Sequence, residues 1–308
     1  MKLSARKVRN YNLFANHAWY VPDVGGMFGL LGLFLAGGLV LGGMVVSLFK
    51  ALEPWGVPEF YSSLLAYPLS FIPAMIFAAN KSQRNCLFET GYQLNSSHFG
   101  PFKTWEIILL TVLLSFAAMI SVDFPNYLNY RFTESIPVLK KICDFFNNRL
   151  EQMTGGPLWS SFLLAAIFAP VFEEWLCRGM VLRGFLTKMK PAWAIVTSAL
   201  FFGLIHVHPQ QALNAFLIGL VMGYVYYKTG SLWLTMLIHF VNNAASVLLS
   251  QFSSMGPDTQ LIDVLGAQNY VLVYVAGVSV LTACLLLFRR IPLLQKRGNV
   301  DRVELDVK

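Results

Sequence analysis

Charge is what this sequence has least of. Only 13% of its 308 residues are Asp, Glu, Lys or Arg, against roughly 25% in an ordinary soluble domain. A chain of this length could not cover a water-facing surface with so few charges, which excludes a soluble globular fold. Cysteine is also scarce: Cys86, Cys143, Cys177 and Cys284 are far apart and form no CxxC or Cys/His spacing, so neither a disulfide framework nor a structural zinc site is expected. Cys177 reads as a small core residue rather than a nucleophile. No repeat, low-complexity tract or Gly/Ser linker sets off a second domain. No basic patch with interleaved aromatics is present, which excludes nucleic acid as a partner. The net charge of +7 comes mostly from Lys and Arg in short flanks beside apolar runs, where they face anionic headgroups.

What is present is apolar: 56% of the residues are hydrophobic. A helix of about 20 apolar residues crosses a bilayer, and such windows recur near 25–48, 60–79, 104–122, 158–177, 191–207, 211–227, 231–250 and 268–288. The expected fold is all-α: a polytopic membrane helical bundle of about eight transmembrane helices, forming a single integral membrane domain over residues 1–308. The first window is longer than the apolar region of a cleaved signal peptide, about 7–15 residues, and is expected to stay in the mature protein.

Basic residues alternate between the two sides. Lys2, Arg6, Lys7 and Arg9, then Lys81, Arg84 and Lys103, then Arg183, Lys188 and Lys190, then Arg289, Arg290, Lys296 and Arg297 share one side. The other side has Lys50 with Glu53 and Glu59, and later only Asp258 and Asp263. By the positive-inside rule both termini are cytoplasmic, in a multi-pass cell-membrane protein that reads best as belonging to a bacterial cytoplasmic membrane. The one long connection, about 123–157, offers Ser135 as a helix cap, Pro137 in the first turn, and Ile136, Leu139, Cys143, Phe146, Leu150 and Met153 at helical spacing. It predicts an amphipathic interfacial helix between spans three and four.

Polar side chains inside such windows are costly unless paired or hydrated. Here they gather in spans four to seven: Glu173, Glu174 and Arg178, then His206, then His239, Asn242 and Asn243. Glu174 and Arg178 are one helical turn apart, acid before base, and can pair. Glu173 is turned about 100° away, without a local partner. A carboxylate so placed must find a cation, a water or a proton, which is the profile of a general base. His239 and Asn243 are also a turn apart and can present two donors to a developing oxyanion, while His206 can share a proton with Glu173. HExxH, GxSG and GxGD are all missing, so the commonest zinc, serine and aspartyl intramembrane protease motifs do not apply. No cofactor is expected; zinc remains the alternative, because two carboxylates and up to three histidines could hold it if the helices converge.

In order, Glu173-Glu174-x-x-x-Arg178, Phe202-x-x-x-His206 and His239-x-x-x-Asn243, with Gly219-x-x-x-Gly223 between them, resemble the CPBP family of intramembrane proteases, which includes the CAAX prenyl endopeptidases and the bacteriocin-linked Abi proteins. The likeness covers about residues 165–250. It implies that Glu173 activates a water with His206 as partner, that His239 and Asn243 form the oxyanion site, and that Glu174 and Arg178 support fold or substrate binding. The implied activity is endopeptidase cleavage of a membrane-associated peptide or protein, in contact with the lipid bilayer. The rival readings are a non-proteolytic binding, regulatory or immunity protein of the same family, and a proton-coupled transporter, against which the lack of symmetry between the halves counts. A linear ruler sets Glu173 and His206 near opposite membrane faces, and Pro170 is the expected point at which a broken helix would bring them together.

Overall fold

The computed structural model describes residues 20–58, 60–82, 99–154, 156–252 and 261–291. Among these residues there are nine helices and no strand, as the apolar windows require. They are α1 Val24–Trp55, α2 Phe60–Lys81, α3 Thr104–Ser135, α4 Pro137–Thr154, α5 Leu158–Lys188, α6 Pro191–Ile205, α7 Pro209–Thr229, α8 Leu232–Phe252 and α9 Leu261–Arg289. Much of the charge used to assign orientation, Lys2, Arg6, Lys7, Arg9, Arg84, Lys296 and Arg297 with Glu59 and Asp258, lies outside the described residues, as does Cys86.

Six helices, rather than the eight expected, are long and apolar enough to cross a membrane: α1, α2, α3, α5, α8 and α9. The window at 191–207 becomes α6, which has only 15 residues. At 1.5 Å per residue it is about 22 Å long, short of the ~30 Å hydrocarbon core. The window at 211–227 becomes α7, whose 21 residues include Gln210, Gln211, Asn214, three tyrosines and Lys228, so its length suffices but its polarity does not.

The long third connection is shorter than expected because α3 runs on as helix to Ser135. Ser135 is thus not the cap of the next helix; its hydroxyl donates to the Phe132 carbonyl at 2.7 Å. Ile136, in extended conformation, makes the turn, and α4 begins at Pro137 as expected. Along α4, Cys143 is buried and Leu139 and Phe146 are half-buried, whereas Val138 and Phe145 face outward.

Pro170 does not break α5. The helix absorbs it through two π-helical stretches, Leu163–Phe168 and Trp175–Leu182, on either side of the α-helical Ala169–Glu174. Pro170 falls in the first turn of that inner stretch, where a missing N–H and a φ fixed near −65° cost least. The helix then continues to Lys188.

Two apolar clusters flank this helix. One joins Leu30, Phe71, Ala74 and Met75 to Trp175, Leu176 and Met180 of α5. The other joins Ile107, Leu114 and Ala118 of α3 to Cys177, Phe202, Met222, Val225 and Phe288. Cys177 is fully buried, in line with a packing role. α6 packs closely on α7: a Cβ on Gly219 would meet Ala199 at 3.2 Å, and one on Gly223 would meet Ile195 at 3.0 Å.

Candidate functional site

The short length of α6 removes the difficulty raised by the linear ruler. Fifteen residues separate Glu173 from Lys188 at the end of α5, and fifteen separate Pro191 at the start of α6 from His206. With Met189 and Lys190 turning the chain between them, Glu173 and His206 stand level. His206 Nε2 lies 3.7 Å from Glu173 Oε2, and His239 Nε2, from α8, lies 4.0 Å from the same oxygen. Glu173 Oε2 is buried and accepts no hydrogen bond within the protein, so one carboxylate oxygen and two imidazole nitrogens face a common point.

The second partner of each imidazole fixes which nitrogen faces that point. His206 Nδ1 is 2.8 Å from the Phe202 carbonyl oxygen, one turn back on α6. A carbonyl only accepts, so Nδ1 carries the hydrogen and, in the neutral ring, Nε2 offers a lone pair. His239 Nδ1 is 3.1 Å from Glu174 Oε1, and the same logic makes it the donor to that carboxylate. Phe202 meets both rings edge-on, with centroids 4.8 Å from His206 and 5.6 Å from His239. It forms an apolar wall that holds both imidazoles.

Glu174 and Arg178 form the pair that their spacing predicts. Arg178 Nη1 donates to Glu174 Oε1 at 2.6 Å, and both side chains are fully buried. Arg178 Nη2 reaches the Gly219 carbonyl at 3.3 Å, and its guanidinium lies 4.3 Å from the Phe202 ring centroid. A Cβ on Gly219 would come within 3.2 Å of Nη2, so glycine is what admits the guanidinium here. The pair neutralises itself and leaves Glu173 as the unbalanced charge.

Asn243 is tied to α5. Its Nδ2 donates to the Ala165 carbonyl at 2.8 Å, and its Oδ1 accepts from Asn242 Nδ2 at 3.1 Å. The reason lies in α5. Ala165 belongs to the first π stretch, in which a carbonyl pairs with the N–H five residues on. Ala169 N–H bonds Leu164, and the next residue is Pro170, which has no N–H to give Ala165. Asn243 supplies the missing donor and keeps a second N–H.

Sequence reasoning missed Tyr67. Its hydroxyl, from α2, donates to Glu173 Oε1. The only signal was a tyrosine in the middle of an apolar window, directly before Pro68, and nothing local tied it to α5. His208, two residues after His206, is buried and caps α7. Its Nδ1 accepts from Gln210 N–H at 3.2 Å and its Nε2 lies 2.8 Å from Asn147 Oδ1 on α4. Between His206 and His208 the chain turns at Val207, the one non-glycine residue of positive φ among those described, at 57°, with His208 N–H bonded to the His206 carbonyl at 2.5 Å.

Among the described residues, no group of three or more His, Cys, Asp or Glu side chains has the spacing to hold a metal ion. No curated protein and no solved structure matches the chain. Residues 155–245, which carry every member of the convergent set except Tyr67, match the family of the type II CAAX prenyl endopeptidase Rce1-like proteins, and this part of the chain is a domain of that family.

Proposed function

We propose that the protein is an intramembrane endopeptidase that hydrolyses a peptide bond of a membrane-associated peptide or protein by a Glu173-activated water. The observation that carries this reading is the placement of Glu173 Oε2 with two imidazole Nε2 atoms at 3.7 Å and 4.0 Å, beside a fully neutralised Glu174. A water at that point donates one hydrogen to Glu173 Oε2 and the other to His206 Nε2, which aims its own lone pair at a carbonyl carbon. As the C–O bond forms, Glu173 takes the proton. It then passes the proton to the leaving nitrogen as the C–N bond breaks, so no covalent intermediate is required.

The developing oxyanion needs donors. His239 donates from Nε2 when its ring carries a second proton, and Glu174 holds the ring in place by accepting from Nδ1, as the carboxylate does in a Ser-His-Asp triad. Asn243, one turn on from His239 and with one N–H left over from its bond to Ala165, is the second donor. His206 and Glu173 are 22% and 13% exposed, whereas the Glu174–Arg178 pair is fully buried.

The test is Glu173→Gln, which keeps the side chain's size and its bond from Tyr67 but removes the base. Membrane peptides from a deletion strain carrying the wild-type gene are compared with those from the same strain carrying the variant. The expected result is that the wild type restores the cleaved peptides and the variant, present at normal level and folded, does not. A folded Glu173→Gln protein that restores them would refute the glutamate mechanism. Equal biological rescue by wild type and a Glu173→Gln/His239→Ala double variant, with no cleavage by either, would establish the binding role instead.

A further inference from the structure

We infer that Tyr67 is a positioning residue for the Glu173 carboxylate, supplied by a helix outside the family domain; this rests on the peptidase reading above. A carboxylate on a free rotamer presents either oxygen to a water. Here the Tyr67 hydroxyl occupies Oε1, so Oε2 alone is left facing His206 and His239, and it is this oxygen that has no hydrogen bond within the protein.

The tyrosine is itself held. Its ring lies 5.5 Å from Phe71, one turn on along α2, and Phe71 stacks on Phe172 at 5.3 Å. Phe172 is the residue directly before Glu173, so one aromatic row fixes both ends of the hydrogen bond. Phe71 is almost fully buried in the same apolar cluster as Trp175 and Leu176. Pro68 stands inside α2 immediately after Tyr67, and a proline there leaves the Leu64 carbonyl without its helical N–H partner.

This hydrogen bond acts on catalysis through geometry. It fixes the angle of the base, which matters because a misplacement of about 1 Å can cost on the order of 100-fold in rate. Tyr67 therefore acts through Glu173 and does not touch the reacting atoms.

The test uses the purified full-length protein in lipid vesicles and a randomised quenched-fluorescence peptide library, with Tyr67→Phe and Glu173→Gln compared with the wild type. Phenylalanine keeps the ring on Phe71, so the variant is expected to fold with a melting temperature close to that of the wild type. Its kcat should fall about 10–100-fold with KM within about twofold. A Tyr67→Phe protein with wild-type kcat, or one whose loss comes with a lower melting temperature or with a matching rise in KM, overturns the inference. If Tyr67→Phe does not fold, Tyr67→Trp, which also keeps an aromatic ring but places no hydroxyl on Glu173, takes its place with the same expected outcomes. If Glu173→Gln is inactive while Tyr67→Phe matches the wild type, only the role of Tyr67 fails. An active Glu173→Gln protein, or a wild type that cleaves nothing in the library, removes the peptidase reading as well.

Discussion

Replacing Arg178 by methionine tests the central electrostatic claim, that Glu174 is a sealed and neutralised charge. The substitution keeps much of the side-chain volume and removes three things at once: the 2.6 Å ion pair with Glu174, the 3.3 Å bond to the Gly219 carbonyl and the guanidinium held 4.3 Å from the Phe202 ring centroid. Glu174 is fully buried, and its remaining donor is His239 Nδ1 at 3.1 Å. Stranding one member of a buried pair costs about 3–5 kcal/mol. At about 2–4 °C per kcal/mol, the value for chains of 150–250 residues, the melting temperature falls by about 6–20 °C. The assay is size-exclusion recovery of detergent-purified protein after stepwise heating. The double variant Glu174→Gln/Arg178→Met carries no stranded charge, and its glutamine oxygen still accepts from His239, so it should regain more than half of the loss. A single variant within about 2 °C of the wild type, or a double variant no more stable than the single, would refute the account.

The double variant also serves a kinetic test. The acceptor behind His239 Nδ1 is then an amide oxygen that no guanidinium holds in place, so the imidazole loses its fixed aim and kcat for peptide hydrolysis should fall about 10–100-fold even where stability is restored; single-turnover cleavage in vesicles measures this. A further prediction concerns His208, whose pKa burial lowers from the usual value. The fold therefore favours its neutral ring, and the stability it contributes is complete above the unfolded value of about 6.5 and lost as pH falls below that. Protonated Nδ1 no longer accepts from Gln210 N–H, so hydrogen exchange at the start of α7 and in α4 should quicken between pH 7.5 and pH 5, about one unit above and more than one below that value. A His208→Asn variant, which keeps a cap without a titrating group, should not show the change.

One ion pair of the candidate site was readable from spacing, because a helix converts sequence separation directly into direction. The Glu174–Arg178 pair at i and i+4 has the geometry expected, and Glu173 is the acid it leaves unbalanced. The all-α architecture followed from the apolar windows. Depth was not readable, because it depends on where helices stop, and hydropathy averages over their ends: α6 ends before it could cross a bilayer, which is what sets His206 level with Glu173. The engagement of Asn243 was hidden for a related reason. Only the π stretch beside Pro170 makes the Ala165 carbonyl short of a donor, and an ideal helical wheel cannot show an extra residue in a turn. Tyr67 lies 106 positions from Glu173, and contact across that distance depends on packing that no local pattern encodes.

The two π stretches of α5 also act on the helix as phase shifts. Each fits one more residue into a turn than an α-helix does, and a residue of an α-helix accounts for about 100° of rotation. Ala169–Glu174, between the two, is thus a short segment whose direction is offset from both ends of its own helix. The faces at Leu158–Phe162 and Arg183–Lys188 can be chosen to suit their neighbours while the glutamates keep a separate aim. Deleting a single residue from Trp175–Leu182 would let that stretch close as ordinary helix, and Arg183, Gly184 and Leu186, now buried, would swing away from their contacts by about a quarter turn.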